Sequence, residues 1–99
     1  LVSVEKIYFA KNQKTIIEVA QARGIILFLI LKNNIPILEY TPREIKLAVT
    51  SYGLADKKAV ARMVCLILDL KEIPKIDDVT DALAIAITAA NRYRLDSLQ

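Results

Sequence analysis

Asp77-Asp78-Val79-Thr80-Asp81-Ala82-Leu83-Ala84-Ile85-Ala86-Ile87-Thr88 sets carboxylates at the mouth of a segment that is otherwise nearly all apolar. Asp78 and Asp81 are three apart, so on a helix they share one face and both can reach a single cation. Asp77 points about 100° away and suits a cap or an outer contact. Acids ahead of an apolar run are also what a helix N-terminus calls for, because they answer its unpaired N–H groups and its positive dipole end. On spacing alone capping is the commoner explanation, and the pair carries both readings. Ala82, Ala84, Ala86, Ala89 and Ala90 interleave with Leu83, Ile85 and Ile87. Such a helix lets other backbone approach closely and holds its first-turn acids in place, as a metal site needs.

The segments upstream read as an alternation of strands and helices. Lys71 to Ile76, broken by Pro74, is a connector. Before it, Asp56 caps a helix whose Val60, Met63, Val64, Ile67 and Leu68 fall at the spacing of one buried face. Thr41, Pro42 and Glu44 are an N-cap, a first-turn proline and a capping-box acid, the clearest helix start in the chain. Ile45, Val49 and Tyr52 form that helix's buried stripe, and Gly53 is the expected terminator. Ile35 to Tyr40 reads as a short strand, with Pro36 near its start.

A long helix is predicted from Gln13 to Asn33. Its first half is amphipathic, with Ile16, Ile17, Val19 and Ala20 apolar, and its second half is apolar all round and so expected to be buried. Ala20 and Gly24 are four apart, a notch that fits a close neighbour from this chain or from a second subunit. Leu1 to Ile7 is a strand by its β-branched residues, with Val2 and Val4 on one face and Ser3, Glu5 and Ile7 on the other. Glu5 belongs either to an exposed edge, the simpler reading of it alone, or to a site at the strand's carboxyl end.

Composition narrows the chemistry. The 99 residues are 55% hydrophobic with a formal charge of +3, which fits one small domain and permits an anionic partner without requiring one. The absence of histidine excludes histidine bases, Ser-His-Asp triads and histidine-ligated zinc. Cys65 sits in an apolar run and reads as an inert buried thiol, and a single cysteine makes an intracellular, cytoplasmic setting the default. The longest apolar run, Ile25 to Leu31, is far below the roughly 20 residues of a spanning helix. The chain opens at Leu1, without Met and inside a strand, so residues 1–99 are expected to be one incomplete domain.

A strand-borne Glu5 and a helical Asp78/Asp81 pair, with no histidine, suit hard oxygen-loving cations such as Mg²⁺ or Mn²⁺. Three blocks then resemble the RuvC family of Holliday-junction resolvases, in addition to the acid-bearing helix. Val4-Glu5-Lys6-Ile7-Tyr8-Phe9-Ala10-Lys11-Asn12 is similar to the block around that family's second catalytic acid. Ala20-Gln21-Ala22-Arg23-Gly24 resembles its Q-A-R-G, and Tyr40-Thr41-Pro42-Arg43-Glu44-Ile45-Lys46 its Y-[ST]-P-x-x-[VI]-K. The resemblance runs from Val2 to about Ala89.

It implies an α/β, ribonuclease H-like fold, here mostly helical with about two strands, and a metal-dependent endodeoxyribonuclease that resolves four-way DNA junctions in recombination and repair. Glu5, Asp78 and Asp81 would be catalytic metal-binding carboxylates, with two Mg²⁺ ions (or Mn²⁺) in the complete enzyme. Lys46, Lys57 and Tyr8 would contact DNA, the lysines at phosphates and the tyrosine by stacking on bases. The helix around Gly24 would pair two subunits as a homodimer, and a branch-migration motor complex is a further implied partner. The family's first catalytic acid lies in a Gly-x-Asp-x-Gly strand, which this sequence lacks. The alternative is therefore a non-catalytic dimerisation or DNA-binding remnant of such a domain. A different ribonuclease H-like nuclease or a transposase is a third reading.

Overall fold

Thr41-Pro42-Arg43-Glu44 does in the structure what its pattern predicts. The computed structural model describes residues 1–6 and 13–96. Helix α2, Pro42–Thr50, starts with a reciprocal capping box. The Thr41 hydroxyl accepts from the Glu44 N–H at 3.1 Å, and a Glu44 carboxylate oxygen accepts from the Thr41 N–H at 2.9 Å. A cap of this kind contributes about 1 kcal/mol. The helix ends earlier than its sequence suggests, at Ser51, whose left-handed φ of 66° supplies the reversal expected of Gly53. Gly53 serves close packing instead: a Cβ there would lie 3.0 Å from Cγ and Nε of Arg43. Ile45 and Val49 are buried as predicted, whereas Tyr52, beyond the helix end, is exposed.

Two strands precede α2. Strand β1, Val2–Glu5, pairs in parallel with β2, Ile37–Tyr40, in the register Val2↔Ile37 to Glu5↔Tyr40. A parallel pair needs a crossover, and helix α1, Gln13–Lys32, lies between them in the chain. Both strands are shorter than the sequence segments that predict them. Because the register brings Glu5 level with Tyr40, the carboxyl end of β1 sits where the chain turns into α2.

Helix α3, Lys57–Leu68, is capped by Asp56, whose carboxylate accepts from the Ala59 N–H at 2.8 Å. Its buried face is Val60, Ala61 and Val64; Met63 is half-buried, while Ile67 and Leu68 are exposed. Helix α4, Asp77–Asp96, packs against α2, α3 and both strands. Thr80, Ala84, Ile87, Thr88 and Ala89 are its buried residues. The fully buried Thr88 hydroxyl donates to the Ala84 carbonyl at 2.8 Å, so no polar atom is stranded there. Ser3 donates to the Ile85 carbonyl at 3.0 Å, which places the Ser3/Glu5 face of β1 toward α4. Among the alanines, Ala84 and Ala89 are buried, but Ala82, Ala86 and Ala90 line an open groove beside Leu1 and Ser3.

The expectation of a buried second half for α1 is not met. Ile25, Phe28 and Leu31 are each 64% exposed, and Ile26 and Leu29 are exposed as well. Its half-buried residues are Ile16, Ala20, Arg23, Leu27 and Ile30, one stripe at helical spacing. Beyond that stripe, the described residues provide nothing to cover the apolar surface. Gly24 faces open space, since an added Cβ would meet no atom within 4 Å. Among the described residues no helix is long and apolar enough to cross a membrane.

Candidate functional site

Four charged residues from four elements meet at the carboxyl end of β1. A cleft of about 330 Å³ is lined by Glu5 from β1, Lys46 from α2, Lys57 from α3 and Asp81 from α4. Its remaining walls include Pro42, Ile45, Val60, Thr80, Ala84 and Ile85. Local structure explains each placement. The capping box fixes the start of α2, which carries Lys46 in its second turn, and the Asp56 cap does the same for Lys57 in the first turn of α3. Asp81 follows Thr80, which is buried and anchors that turn of α4 in the core.

The charges act on one another. Partial burial raises the Glu5 carboxyl above the ordinary glutamate range, and the negative charge of Asp81 raises it further. Lys46 and Lys57 oppose both effects by favouring the ionised form. Two carboxylates are thus held close enough to repel, with two ammonium groups acting against that repulsion. A divalent cation between them would relieve it. Their all-oxygen donor set fits Mg²⁺ or Mn²⁺, since Mg²⁺ is commonly held by one or two carboxylates, with waters and substrate phosphates completing the shell.

The linkage has a definite sign. With its folded pKa raised, Glu5 binds a proton more tightly in the native chain than in the unfolded one. Its contribution to stability therefore falls as pH rises from the ordinary glutamate value through the raised one. A carboxyl ¹³C titration should find the Glu5 midpoint above the ordinary glutamate range. Asp81→Asn should lower this midpoint, and Lys46→Ala or Lys57→Ala should raise it. A midpoint unmoved by all three substitutions would mean that the four groups do not share a field.

Of the residues singled out in the sequence, the structure brings Glu5, Asp81, Lys46 and Lys57 to one cleft. Glu5 is exposed, and it stands at the strand's carboxyl end above a cleft. Asp78 is also exposed, and it does not line the cleft. Among the described residues no group of three acid, cysteine or histidine side chains is gathered closely enough to hold a metal ion. Asp77 is exposed in the first turn of α4, where an acid suits the dipole. Tyr8 lies outside the described residues. Cys65 is half-buried, with Sγ 3.7 Å from the Glu72 carbonyl.

Two arginines have roles that their local sequence does not disclose. By position Arg92 suits the C-terminal end of its helix, yet its guanidinium reaches another helix. It donates to Glu44 at 2.7 Å and stands 5.7 Å from the centroid of the Tyr40 ring. The Thr41 N–H, and after it this Arg92 link, hold the Glu44 carboxyl below the usual range, and the link ties the start of α2 to α4. Arg23 reaches from α1 to both strands, bonding the Glu5 carbonyl and pairing with Glu39. Neither contact follows a short-range spacing rule.

Comparison with known proteins gives the family and the fold. The family model described as crossover junction endodeoxyribonuclease RuvC matches residues 1–89. The chain is 55% identical over 94 residues to the crossover junction endodeoxyribonuclease RuvC of Halothermothrix orenii, covering 95% of this chain and 57% of that protein. It is 50% identical over 96 residues to the Syntrophomonas wolfei protein of the same description, at 97% and 56% coverage. The solved Thermus thermophilus RuvC structure superposes with a TM-score of 0.83 at 34% identity, covering 96% of this chain and 58% of that one. T. thermophilus RuvC in complex with Holliday junction substrate gives 0.84 at 36% identity, with 93% and 56% covered. The chain therefore spans a little over half the length of these relatives. Its two parallel strands and its helices are a part of their ribonuclease H-like fold, and the chain belongs to the crossover junction endodeoxyribonuclease RuvC family.

Proposed function

We propose that the Glu5–Asp81 cleft is part of the catalytic centre of a metal-dependent endonuclease that resolves four-way DNA junctions in recombination and repair. The observation that carries this reading is the meeting of two acids and two lysines in one cleft on a RuvC-family fold. Glu5 and Asp81 would hold Mg²⁺ or Mn²⁺, and Asp78, three residues before Asp81 on α4, is the additional carboxylate that the family resemblance nominates. Bound ions would supply an activated water and stabilise the leaving oxygen of a phosphodiester. The lysines favour the ionised form of Glu5 and offer two cations to the anionic backbone. Ile45, Val60 and Ile85 wall the cleft with apolar surface and limit water around the charges.

Residues 1–99 form one incomplete domain in this reading. The chain by itself is expected to bind metal weakly and to cleave negligibly, since among the described residues no three acids gather. The test compares a four-way junction with linear duplex of the same sequence, in Mg²⁺ and in chelator. A full-length protein carrying this segment should cut the junction symmetrically and only with the metal. Equal cutting of junction and duplex would point to a less selective nuclease of the same fold. Binding without cutting in any divalent metal would favour the non-catalytic remnant.

The exposed face of α1 completes the reading. Ile17, Phe28 and Leu31 flank the open side of Gly24, Ile25, Ile26 and Leu29 continue the exposed apolar face around the helix, and apolar surface of this extent calls for a cover. A second copy of the chain, joined through α1, is the proposed homodimer. Sedimentation at tens of micromolar, about the range of ordinary interface affinities, should show a dimer. Phe28→Glu should dissociate it, and a stable unmodified monomer at that concentration would remove α1 as the interface.

A further inference from the structure

Arg23 belongs to a block that marks the family, yet nothing in the cleft accounts for it. It lies on the sheet-facing stripe of α1 with Ile16, Ala20, Leu27 and Ile30, and its side chain is 25% exposed. Nη2 donates to the backbone carbonyl of Glu5 at 3.3 Å and stands 3.7 Å from Oε2 of Glu39. Backbone hydrogen bonds tie both ends of β1 to β2 and its flanks. The Val2 N–H donates to the Pro36 carbonyl and the Lys6 N–H to the Tyr40 carbonyl, each at 2.8 Å. Arg23 thus holds the carbonyl of the same Glu5–Lys6 peptide group whose N–H is tied to Tyr40, from the side of the sheet opposite α4.

We infer that Arg23 is a positioning residue for the cleft: by gripping the Glu5 carbonyl from α1, it sets where the Glu5 carboxylate stands relative to Asp81. This rests on the reading of Glu5 as a metal-holding acid. Arginine suits the task because its planar fork can serve the carbonyl and the Glu39 carboxylate together. The same arrangement links the exposed α1 face to the cleft, since whatever covers α1 steadies the helix from which Arg23 reaches. Pure electrostatics runs the other way. Removing a cation near two carboxylates should strengthen their hold on a divalent ion, so weakened metal binding can arise only through geometry.

The test uses this chain and Mn²⁺ alone, with affinity read from paramagnetic broadening of the resonances of α4 and local order from amide hydrogen exchange. Arg23→Gln should weaken Mn²⁺ binding about tenfold, the lower range for groups that orient a metal ligand. It should also speed exchange of the Lys6 amide and leave the Val64 amide unchanged. Glu39→Gln, which spares the carbonyl hydrogen bond, should change affinity by less than about twofold. Arg23→Lys retains the charge and one donor, and should recover part of the lost affinity. Wild-type Mn²⁺ affinity in Arg23→Gln, with affinity lost in Glu5→Gln, overturns the inference while the metal reading stands. Unchanged affinity in both variants overturns the metal reading, and the positioning role with it. If Arg23→Gln loosens Val64 as well, or fails to fold, and Arg23→Lys shows wild-type exchange with no partial loss of affinity, Arg23 is only structural and the inference is overturned.

Discussion

Asp81→Asn, in a full-length protein carrying this segment, should reduce Mg²⁺-dependent junction cleavage by more than about a hundredfold. Substituting residues that merely orient a metal ligand costs 10–100-fold, so removing a ligand should cost at least the upper figure. The neutral amide keeps the size of the side chain but gives up the charge that balances the metal. Asp81 sits on a helix anchored by buried Thr80 and Ala84, and it is itself exposed. The substitution should therefore leave folding and junction affinity nearly unchanged. Cleavage assays at saturating protein, with a parallel binding measurement in Ca²⁺, separate the two properties. Full cleavage by the variant would remove Asp81 from the mechanism. Equal loss of binding and cleavage would make it a DNA contact instead.

The second large effect belongs to the lysines. Lys46→Ala with Lys57→Ala removes both cations that line the cleft. If each meets one phosphate, the slope of log affinity against log salt should become shallower by about 1.8, from roughly 0.9 per contact on duplex DNA. The same relation gives a loss on the order of fiftyfold in affinity at 0.1 M salt, shrinking toward none near 1 M. The loss should be alike for different junction sequences, because phosphate contacts position DNA without reading it. The lysines also favour ionised Glu5, so the double variant should need a higher pH to bind metal. An unchanged salt slope would place the lysines outside the DNA path and leave them only the task of tuning Glu5.

Local signals carried much of this architecture. The Thr41 and Asp56 caps, the Pro42 start and the apolar spacing of Val60 and Val64 depend on residues within a turn or two of each other. The structure reproduces them because capping and helical spacing are short-range interactions. Where the reading went astray, the missing fact was what lies against a face. An all-apolar helix such as the second half of α1 implies burial only if something is present to bury it. In the described residues one stripe meets the strands and the rest is open. Ile67, Leu68 and Tyr52 depart from expectation for the same reason, since each continues an apolar pattern past the edge of what α4 and α2 cover. A glycine near a helix end signals a turn without saying which residue takes the positive φ, and here that residue is Ser51 rather than Gly53.

The candidate site divides in the same way. By itself the sequence determined the chemical kinds: carboxylates without histidine, a strand-borne acid, an acid pair at a helix start, and lysines on the two helices between. It could not say which of the acids share a volume, because Glu5 and Asp81 are brought together by a parallel register and a helix crossing. Only the tertiary structure decided that Glu5, Lys46, Lys57 and Asp81 line one cleft, and that Asp78 stands outside it. It also decided that Arg92 and Arg23 tie separate elements together rather than decorate their own helices. Side chains of this length reach partners far away in sequence, and no local spacing encodes where such a reach will end.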